Sequence, residues 1–171
     1  MELIEVREIF RNKEAYFDKE IEIGGWVRSN RDSKTFGFLV LNDGTFFEPI
    51  QVVYNDSMDN FDKICKVNVG AALSVKGTLI ATPDAKQPFE IQATEVMIEG
   101  DSTPDYPLQK KRHTLEFLRT MPHLRGRTNT FNAVFRVRSV MANTIHTYFQ
   151  DRGYVYIHTP LRLPLTPYSI I

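Results

Sequence analysis

The stretch Gly25–Gln51 constrains the fold of this chain more than any other part of the sequence. Successive side chains of a β-strand point to opposite faces of the sheet, and a core requires only one of those faces. Aliphatic residues recur at every second position of this stretch and of its flanks, so they predict two strands and the start of a third. The opposite face would present Trp26, Arg28, Phe36, Phe38 and Gln51, with Arg31 and Lys34 in the connecting turn.

That second face has the chemistry needed to hold unstacked nucleotide bases. Aromatic rings stack on bases, cations contact phosphates, and an amide can bond to a base edge. An isolated aromatic residue in a strand more commonly packs inside the protein. Packing under a hinge element therefore stays open as the alternative for Phe36 and Phe38. For Trp26, packing against a neighbouring loop is preferred to base binding. A solvated turn is the alternative for Arg28 and Lys34.

The order of elements in the first 100 residues predicts a five-stranded barrel. A short helix around Val6–Phe10 precedes the first strand, and a three-turn helix behind an N-cap at Ser57 separates the third strand from the fourth. This order matches the OB-fold, an all-β Greek-key barrel that binds oligonucleotides on strands 2 and 3, with help from two loops. The expected strands are Glu20–Asn30, Lys34–Asn42, Pro49–Tyr54, Ala71–Ala81 and Phe89–Glu99.

The second part of the chain predicts a hinge and then a helix. Residues 101–127 are polar, basic and interrupted by prolines, with one short helix expected near Leu115–Met121. Apolar residues at helical spacing then predict a long helix from about residue 130 to 151, followed by a strand at Tyr154–His158. We therefore expect three parts, comprising a barrel over residues 1–100, a hinge over 101–127 and a helix–strand piece over 128–171.

Charge is unevenly distributed between the two halves. Residues 1–100 carry 11 Lys and Arg against 17 Asp and Glu, whereas residues 101–171 carry 10 against 4. An acidic barrel argues against indiscriminate nucleic-acid binding, so recognition there would be local. In the basic half, Lys110, Lys111 and Arg112 are candidates for contacts to a phosphate backbone, which require only positive charge. A simple basic loop is the alternative.

The remaining composition indicates a cytoplasmic protein. Cys65 is the single cysteine, so no disulfide within the chain is expected. The first ten residues place acids between apolar residues, unlike a signal peptide, and no apolar run is long enough to span a membrane. The four histidines are scattered without metal-ligand spacing, so no metal site is expected.

Three segments resemble the bacterial-type asparaginyl-tRNA synthetases, which are class II enzymes. GWVRSNRD with FGFLVLNDG resembles their anticodon-binding OB domain. Asp105–Ser139 resembles their hinge, and RGYVYIHTPL at Arg152–Leu161 resembles the first class II motif, a helix and strand at the dimer interface of an α+β catalytic domain. The resemblance covers roughly residues 1–161. Departures from the family pattern occur at Gly126 and after Leu161.

This resemblance implies a tRNA-Asn partner and assigns roles to individual residues. Phe38 would stack on the central anticodon base, a uracil whose edge Arg31 and Gln51 would contact, while Glu90 or Gln92 would meet the first anticodon base. The full implied anticodon set is Arg28, Arg31, Lys34, Phe38, Gln51, Glu90 and Gln92. The resemblance also implies a homodimer, with Phe131, Phe135, Tyr154 and Pro160 at the interface.

The family's second and third motifs, which bind ATP, do not appear in this sequence. We therefore expect a truncated product with no catalytic residue and no cofactor of its own, while ATP and Mg²⁺ would serve only the full-length family. The leading interpretation is the tRNA-binding portion of an asparagine–tRNA ligase. The alternatives are a stand-alone OB module that binds single-stranded nucleic acid, and a fragment that only folds and dimerises.

Overall fold

The computed structural model describes residues 3–85 and 87–158. The chain divides into two compact units, Met1–Asn132 and Ala133–Ile171. The first unit contains a closed barrel with the strand order β1-β2-β3-β5-β4, in which only the β3–β5 pair is parallel. The OB-fold prediction is confirmed. The strands are β1 Glu20–Asp32, β2 Phe36–Asn42, β3 Ile50–Asn55, β4 Ala72–Ala81 and β5 Phe89–Gly100.

The barrel interior is filled by the aliphatic face that the alternation predicts. Ile21, Ile23 and Val27 of β1 are buried, and every second residue of the other strands joins them. Helix α1, Val6–Arg11, adds Val6 and Ile9 to the same core. The buried set also includes Leu39, Leu41, Ile50, Val52, Leu73, Val75, Leu79, Phe89 and Ile91.

Helix α2 is shorter than the sequence predicts. It spans Phe61–Cys65 and begins after Asn60, not after Ser57. The Ser57 side chain bonds instead to the side chain of Asn55, and Asn60 donates its amide to the Val96 carbonyl at 2.7 Å. The local Ser57–Asn55 bond and the long-range Asn60–Val96 bond favour turns over a helix in residues 56–60. The apolar stripe is nevertheless buried at Ile64 and Val67.

A bulge in β1 changes which side chains reach the outer face of the barrel. Val27 pairs with Leu41 and Ser29 pairs with Val40, so Arg28 is the extra residue between them. An inserted residue reverses the alternation of the strand beyond it. Arg31 therefore lies within β1 opposite Phe38, and not in the connecting turn as predicted. Its position on the outer face depends on the bulge.

Tyr54 closes one end of the barrel and links β3 to β1. Its hydroxyl donates to the Asn30 side chain at 2.9 Å, and the Asn30 amide donates in turn to the Ile64 carbonyl at 2.7 Å, near the end of α2. Burial raises the pKa of the Tyr54 phenol, so it remains a hydrogen-bond donor. Gly37 of β2 lies directly against the Tyr54 ring, where any side chain would collide with it.

The hinge contains two short helical segments. Helix α3 spans Leu115–Arg119 and is capped by Thr114, whose hydroxyl accepts the Phe117 N–H at 3.2 Å. A 3-10 turn follows at Arg125–Arg127. The short helix predicted near Leu115–Met121 is thus present; its Leu118 is buried, as is Met121 just after it.

Helix α4 spans Asn129–Gln150, so it begins in the first unit and continues into the second. Thr128 precedes it and accepts the Phe131 N–H at 3.3 Å, as an N-cap residue does. Residues 154–158, predicted as a strand, form no strand ladder within the described residues. A strand needs a partner for its backbone ladder, and the described part of the chain supplies none there. No helix within residues 3–85 and 87–158 has the length and hydropathy to cross a membrane.

Candidate nucleic-acid interface

Four strands place a row of side chains across the outer face of the barrel. The register sets Arg31 of β1 opposite Phe38 of β2, Phe38 opposite Val53 of β3, and Val53 opposite Gln92 of β5. Each of these side chains is at least partly accessible. A cation, a ring and an amide therefore lie along one line of the sheet, as binding of a single strand requires.

Phe36 extends this row with a second ring. It lies two residues before Phe38 on β2, and the two rings meet edge to face with centroids 5.5 Å apart. Phe36 is 42% exposed, so it does not pack under the hinge. The alternative of a packed Phe36 is excluded in this conformation. The pair instead forms an aromatic ledge on the outer face.

Gln51 and Glu90 form a second polar pair on the same face. The Gln51 amide nitrogen donates to a carboxylate oxygen of Glu90 at 2.9 Å. An ionised carboxylate can only accept, so this bond fixes the amide orientation of Gln51. The carbonyl oxygen of Gln51 and the second carboxylate oxygen of Glu90 then provide acceptors for donors on a base edge.

Gln87 belongs to this cluster and was missed by the sequence reasoning. Its side chain accepts the Gln51 backbone N–H and donates to the Pro49 carbonyl, both at 2.9 Å. The sequence analysis assigned no role to residues 82–88, which contain it. Nothing in their composition distinguishes this glutamine from a solvated one, so the contact is visible only in three dimensions.

Arg28 contacts the hinge, although the sequence analysis assigned it to the base-binding face. As the bulged residue, its guanidinium donates to the Arg127 carbonyl and, at 2.9 Å, to the side chain of Asn129. Burial lowers the pKa of Arg28 from its ordinary value, and nearby Tyr106 opposes that shift. Arg28 therefore attaches the hinge to the barrel.

Trp26 also contacts the hinge, as the packing alternative predicts. The Arg127 guanidinium lies 4.9 Å from the centroid of the indole ring, within the range of a cation–π contact. Arg127 also donates to the Tyr106 hydroxyl at 3.3 Å. Together with Arg28, these contacts use two of the predicted face residues for holding the hinge.

The basic residues of the turn and the hinge are exposed. Lys34 lies in the turn between β1 and β2, adjacent to the aromatic ledge in sequence. Lys110, Lys111 and Arg112 line a cavity of about 940 Å³ between β1 and the hinge. Their charged groups can approach a polyanion without disturbing the contacts of Arg28.

The residues predicted for a dimer interface differ in how far they are exposed. Phe131 is half-buried beneath the Arg125 guanidinium, which lies 4.7 Å from its ring centroid. Phe135 is 38% exposed and Tyr154 is 64% exposed, with the Tyr154 ring 5.4 Å from that of Phe149. Pro160 lies outside the described residues.

Comparison with known proteins shows which sequences and structures the chain resembles. Residues 21–99 match the tRNA anticodon family, described as an OB-fold nucleic acid binding domain. The asparagine–tRNA ligase of Acetivibrio thermocellus is 58% identical over 157 residues, covering 91% of this chain and 34% of that ligase. The chain is homologous to the N-terminal part of asparagine–tRNA ligases. The Desulfitobacterium hafniense ligase is 56% identical over 161 residues, covering 94% of this chain and 35% of that ligase.

The chain thus spans about a third of the length of the curated ligases that it matches. Solved structures agree on the fold. The asparaginyl-tRNA synthetase of Pyrococcus horikoshii bound to asparaginyl-adenylate superposes with a TM-score of 0.82 at 20% identity, covering 94% of this chain and 37% of that one. The Entamoeba histolytica asparaginyl-tRNA synthetase gives a TM-score of 0.71 at 22% identity, over 84% of this chain and 35% of that one. The described chain therefore has the fold of the matching parts of these synthetases.

Proposed function

We propose that this chain binds the anticodon of tRNA-Asn as the tRNA-binding portion of an asparagine–tRNA ligase. The observation that carries the proposal is the row formed by Arg31, Phe38, Val53 and Gln92. It combines a ring, a cation and an amide on the strands 2–3 face, where OB-folds hold single strands. The homology supports this assignment.

The geometry supports separate sets of protein contacts for two neighbouring bases. Phe38 offers the stacking surface for the central uracil, while Arg31 and the oriented Gln51 amide can satisfy its carbonyl and N–H groups. Glu90 lies beside Gln51 and can accept from a base with donors on its Watson–Crick edge. We therefore favour Glu90 over Gln92 for the first anticodon base.

Contacts to the RNA backbone would come from the exposed cations. Lys34 lies beside the aromatic ledge, and Lys110, Lys111 and Arg112 border the cavity next to the hinge. Contacts of this kind position an RNA without reading its sequence. ATP-dependent attachment of asparagine belongs to the whole ligases, and we place this chain in the cytoplasm.

Binding to three RNAs at two salt concentrations tests the proposal. The chain is titrated with a tRNA-Asn anticodon stem-loop, the same stem-loop with its central U changed, and an unrelated stem-loop. Loss of the central contacts is expected to weaken binding by about ten- to hundredfold, the value of one stacked and bonded base. That ratio should persist at both salt concentrations, because base contacts release few counterions.

Two results would contradict anticodon reading. Equal affinity for all three RNAs, falling together as salt rises, would show a general electrostatic binder of single strands. No binding to any of them at micromolar concentrations would show that the outer face of this chain does not bind RNA.

We further propose that α4 mediates a homodimer. Several large apolar side chains of this helix are more than half exposed, among them Val137 at 61%, Val140 at 65% and Ile145 at 52%. Met141 is exposed as well, at 53%. Val140, Met141 and Ile145 follow Val137 by three, four and eight residues, which places all four on one helix face. An uncovered apolar stripe of this length marks an association surface, and a second copy of the same helix would cover it.

Sedimentation velocity at several protein concentrations tests the dimer. The unmodified chain is expected to sediment as a dimer at micromolar concentration. Val140→Glu should shift it to a monomer, because a buried unpaired carboxylate is costly in an interface. Asn143→Glu, on the polar side of the same exposed helix, is the matched control and should remain dimeric. A monomer at every concentration for the unmodified chain would contradict the proposal.

A further inference from the structure

The parallel contact between β3 and β5 is short for a barrel closure. Its ladder pairs Val52 with Ile91 and Val53 with Gln92. Continuing that register by two residues would set Phe89 opposite Ile50. At this point, however, the backbone groups on either side of Ile50 bond to a side chain. The Gln51 N–H and the Pro49 carbonyl both reach the Gln87 amide at 2.9 Å.

The Gln87 amide reproduces the bonding of a parallel strand residue. In a parallel ladder, one residue donates to the carbonyl before its partner and accepts from the N–H after it. Gln87 does this with its side chain, donating to Pro49 and accepting from Gln51. A side-chain amide has the same donor and acceptor groups as a peptide unit, so it can extend the ladder where the β5 backbone does not.

The Gln87 backbone is itself held by the loop that carries it. The Thr82 hydroxyl donates to the Gln87 carbonyl at 2.8 Å, and the Thr82 N–H donates to the Pro88 carbonyl at 2.9 Å. Both ends of Gln87 are therefore bonded, its backbone to the loop and its side chain to β3. The start of β5, which carries Glu90, is held at a fixed distance from the start of β3, which carries Gln51.

We propose that Gln87 is a positioning residue for the Gln51–Glu90 pair, and through that pair a determinant of which bases the outer face accepts. This inference rests on the proposed function. Gln87 would not touch RNA. It would keep the Gln51 amide within 2.9 Å of the Glu90 carboxylate, and so would fix the pattern of acceptors offered to a base edge. Without it, Gln51 and Glu90 could turn independently and discriminate less.

The first test measures the contact without RNA. Gln87→Met keeps the length of the side chain but removes the amide, so its loop should remain folded. Hydrogen exchange of the Gln51 backbone N–H should become faster by at least about tenfold, because its acceptor is lost. The Val27 N–H, which bonds to the Ala71 carbonyl at 2.9 Å, reports on the whole barrel and should not change. Unchanged exchange at Gln51 would overturn the proposal.

The second test measures the effect on base reading. Gln87→Met should weaken binding to the tRNA-Asn stem-loop by about three- to tenfold, the value of one or two hydrogen bonds. It should have no further effect in a Gln51→Ala background, because the residue through which it acts is absent. Gln109→Ala is the matched control, since Gln109 also donates to a backbone carbonyl, that of Tyr106 at 2.8 Å, within the hinge.

The outcomes separate the positioning role from the function on which it rests. Equal losses in the two backgrounds, or an equal loss with Gln109→Ala, would overturn the positioning role while leaving anticodon binding intact. An unmodified chain that binds all stem-loops alike would overturn both. A background-dependent loss together with faster Gln51 exchange would establish the role of Gln87.

Discussion

Replacing Phe38 by alanine is expected to weaken binding of the tRNA-Asn stem-loop by about ten- to hundredfold. One base stacked on an aromatic side chain is worth about 1–3 kcal/mol, and Phe38 lies at the centre of the row between Arg31 and Val53. The loss should shrink with a stem-loop whose central U has been changed, because that RNA already lacks the matched contact. Fluorescence anisotropy at fixed salt measures both affinities.

Phe47→Ala is the matched control for this prediction. Phe47 is 40% exposed, close to the exposure of Phe36, but it lies in the segment between β2 and β3 and outside the row. Its replacement should leave RNA affinity within about twofold. A thermal melt of each variant is also needed, since Phe38 is partly buried and its truncation removes some packing. If Phe38→Ala and Phe47→Ala bind RNA equally well, Phe38 is not the stacking residue.

Alternation of apolar residues was sufficient to predict the barrel. Each strand has one face that must be buried, so a period of two in residues such as Ile21, Ile23, Leu39 and Leu41 determines both the strand and its orientation. The strand bounds observed differ from those predicted by one or two residues at most ends. The same reasoning placed Phe38 and Gln51 on the outer face, because their neighbours are buried.

The bulge at Arg28 could not be predicted in this way. Residues 28–32 are all polar, so no apolar period exists there to reveal that the alternation reverses. The prediction therefore kept Arg28 on the base-binding face and left Arg31 in the turn. In the structure, Arg28 is bonded to the hinge and Arg31 lies within β1 opposite Phe38. Strand β1 therefore contributes Arg31 to the recognition face and, at its bulge, Arg28 to the contact with the hinge.

The length of α2 and the pairing of residues 154–158 could not be predicted for one common reason. Both predictions depended on local pattern, whereas both outcomes depend on distant partners. Asn60 bonds to Val96, 36 residues away, which favours a turn over another helical turn. Tyr154–His158 has the composition of a strand but lacks a neighbouring strand in the described residues. Gln87 illustrates the same limit, because its partners Pro49 and Gln51 are more than 30 residues away.

Gly77→Ala is expected to destabilise the barrel by about 2–3 kcal/mol, at the upper end of the usual cost of overpacking. A Cβ at Gly77 would lie 2.3 Å from the Gln92 carbonyl oxygen and 2.8 Å from the Ala93 Cα. These are backbone atoms of β5, next to the register shift between Lys76 and Gly77, so the clash can be relieved only if β5 itself moves.

The matched control is Gly100→Ala at the end of β5. There the nearest atom to the added Cβ is 3.8 Å away, so the free energy of unfolding should change by no more than about 0.5 kcal/mol. Urea unfolding of the two variants measures the difference. Equal midpoints would contradict the close approach of β4 and β5 at Gly77, and with it the placement of Gln92 in the row that ends on β5.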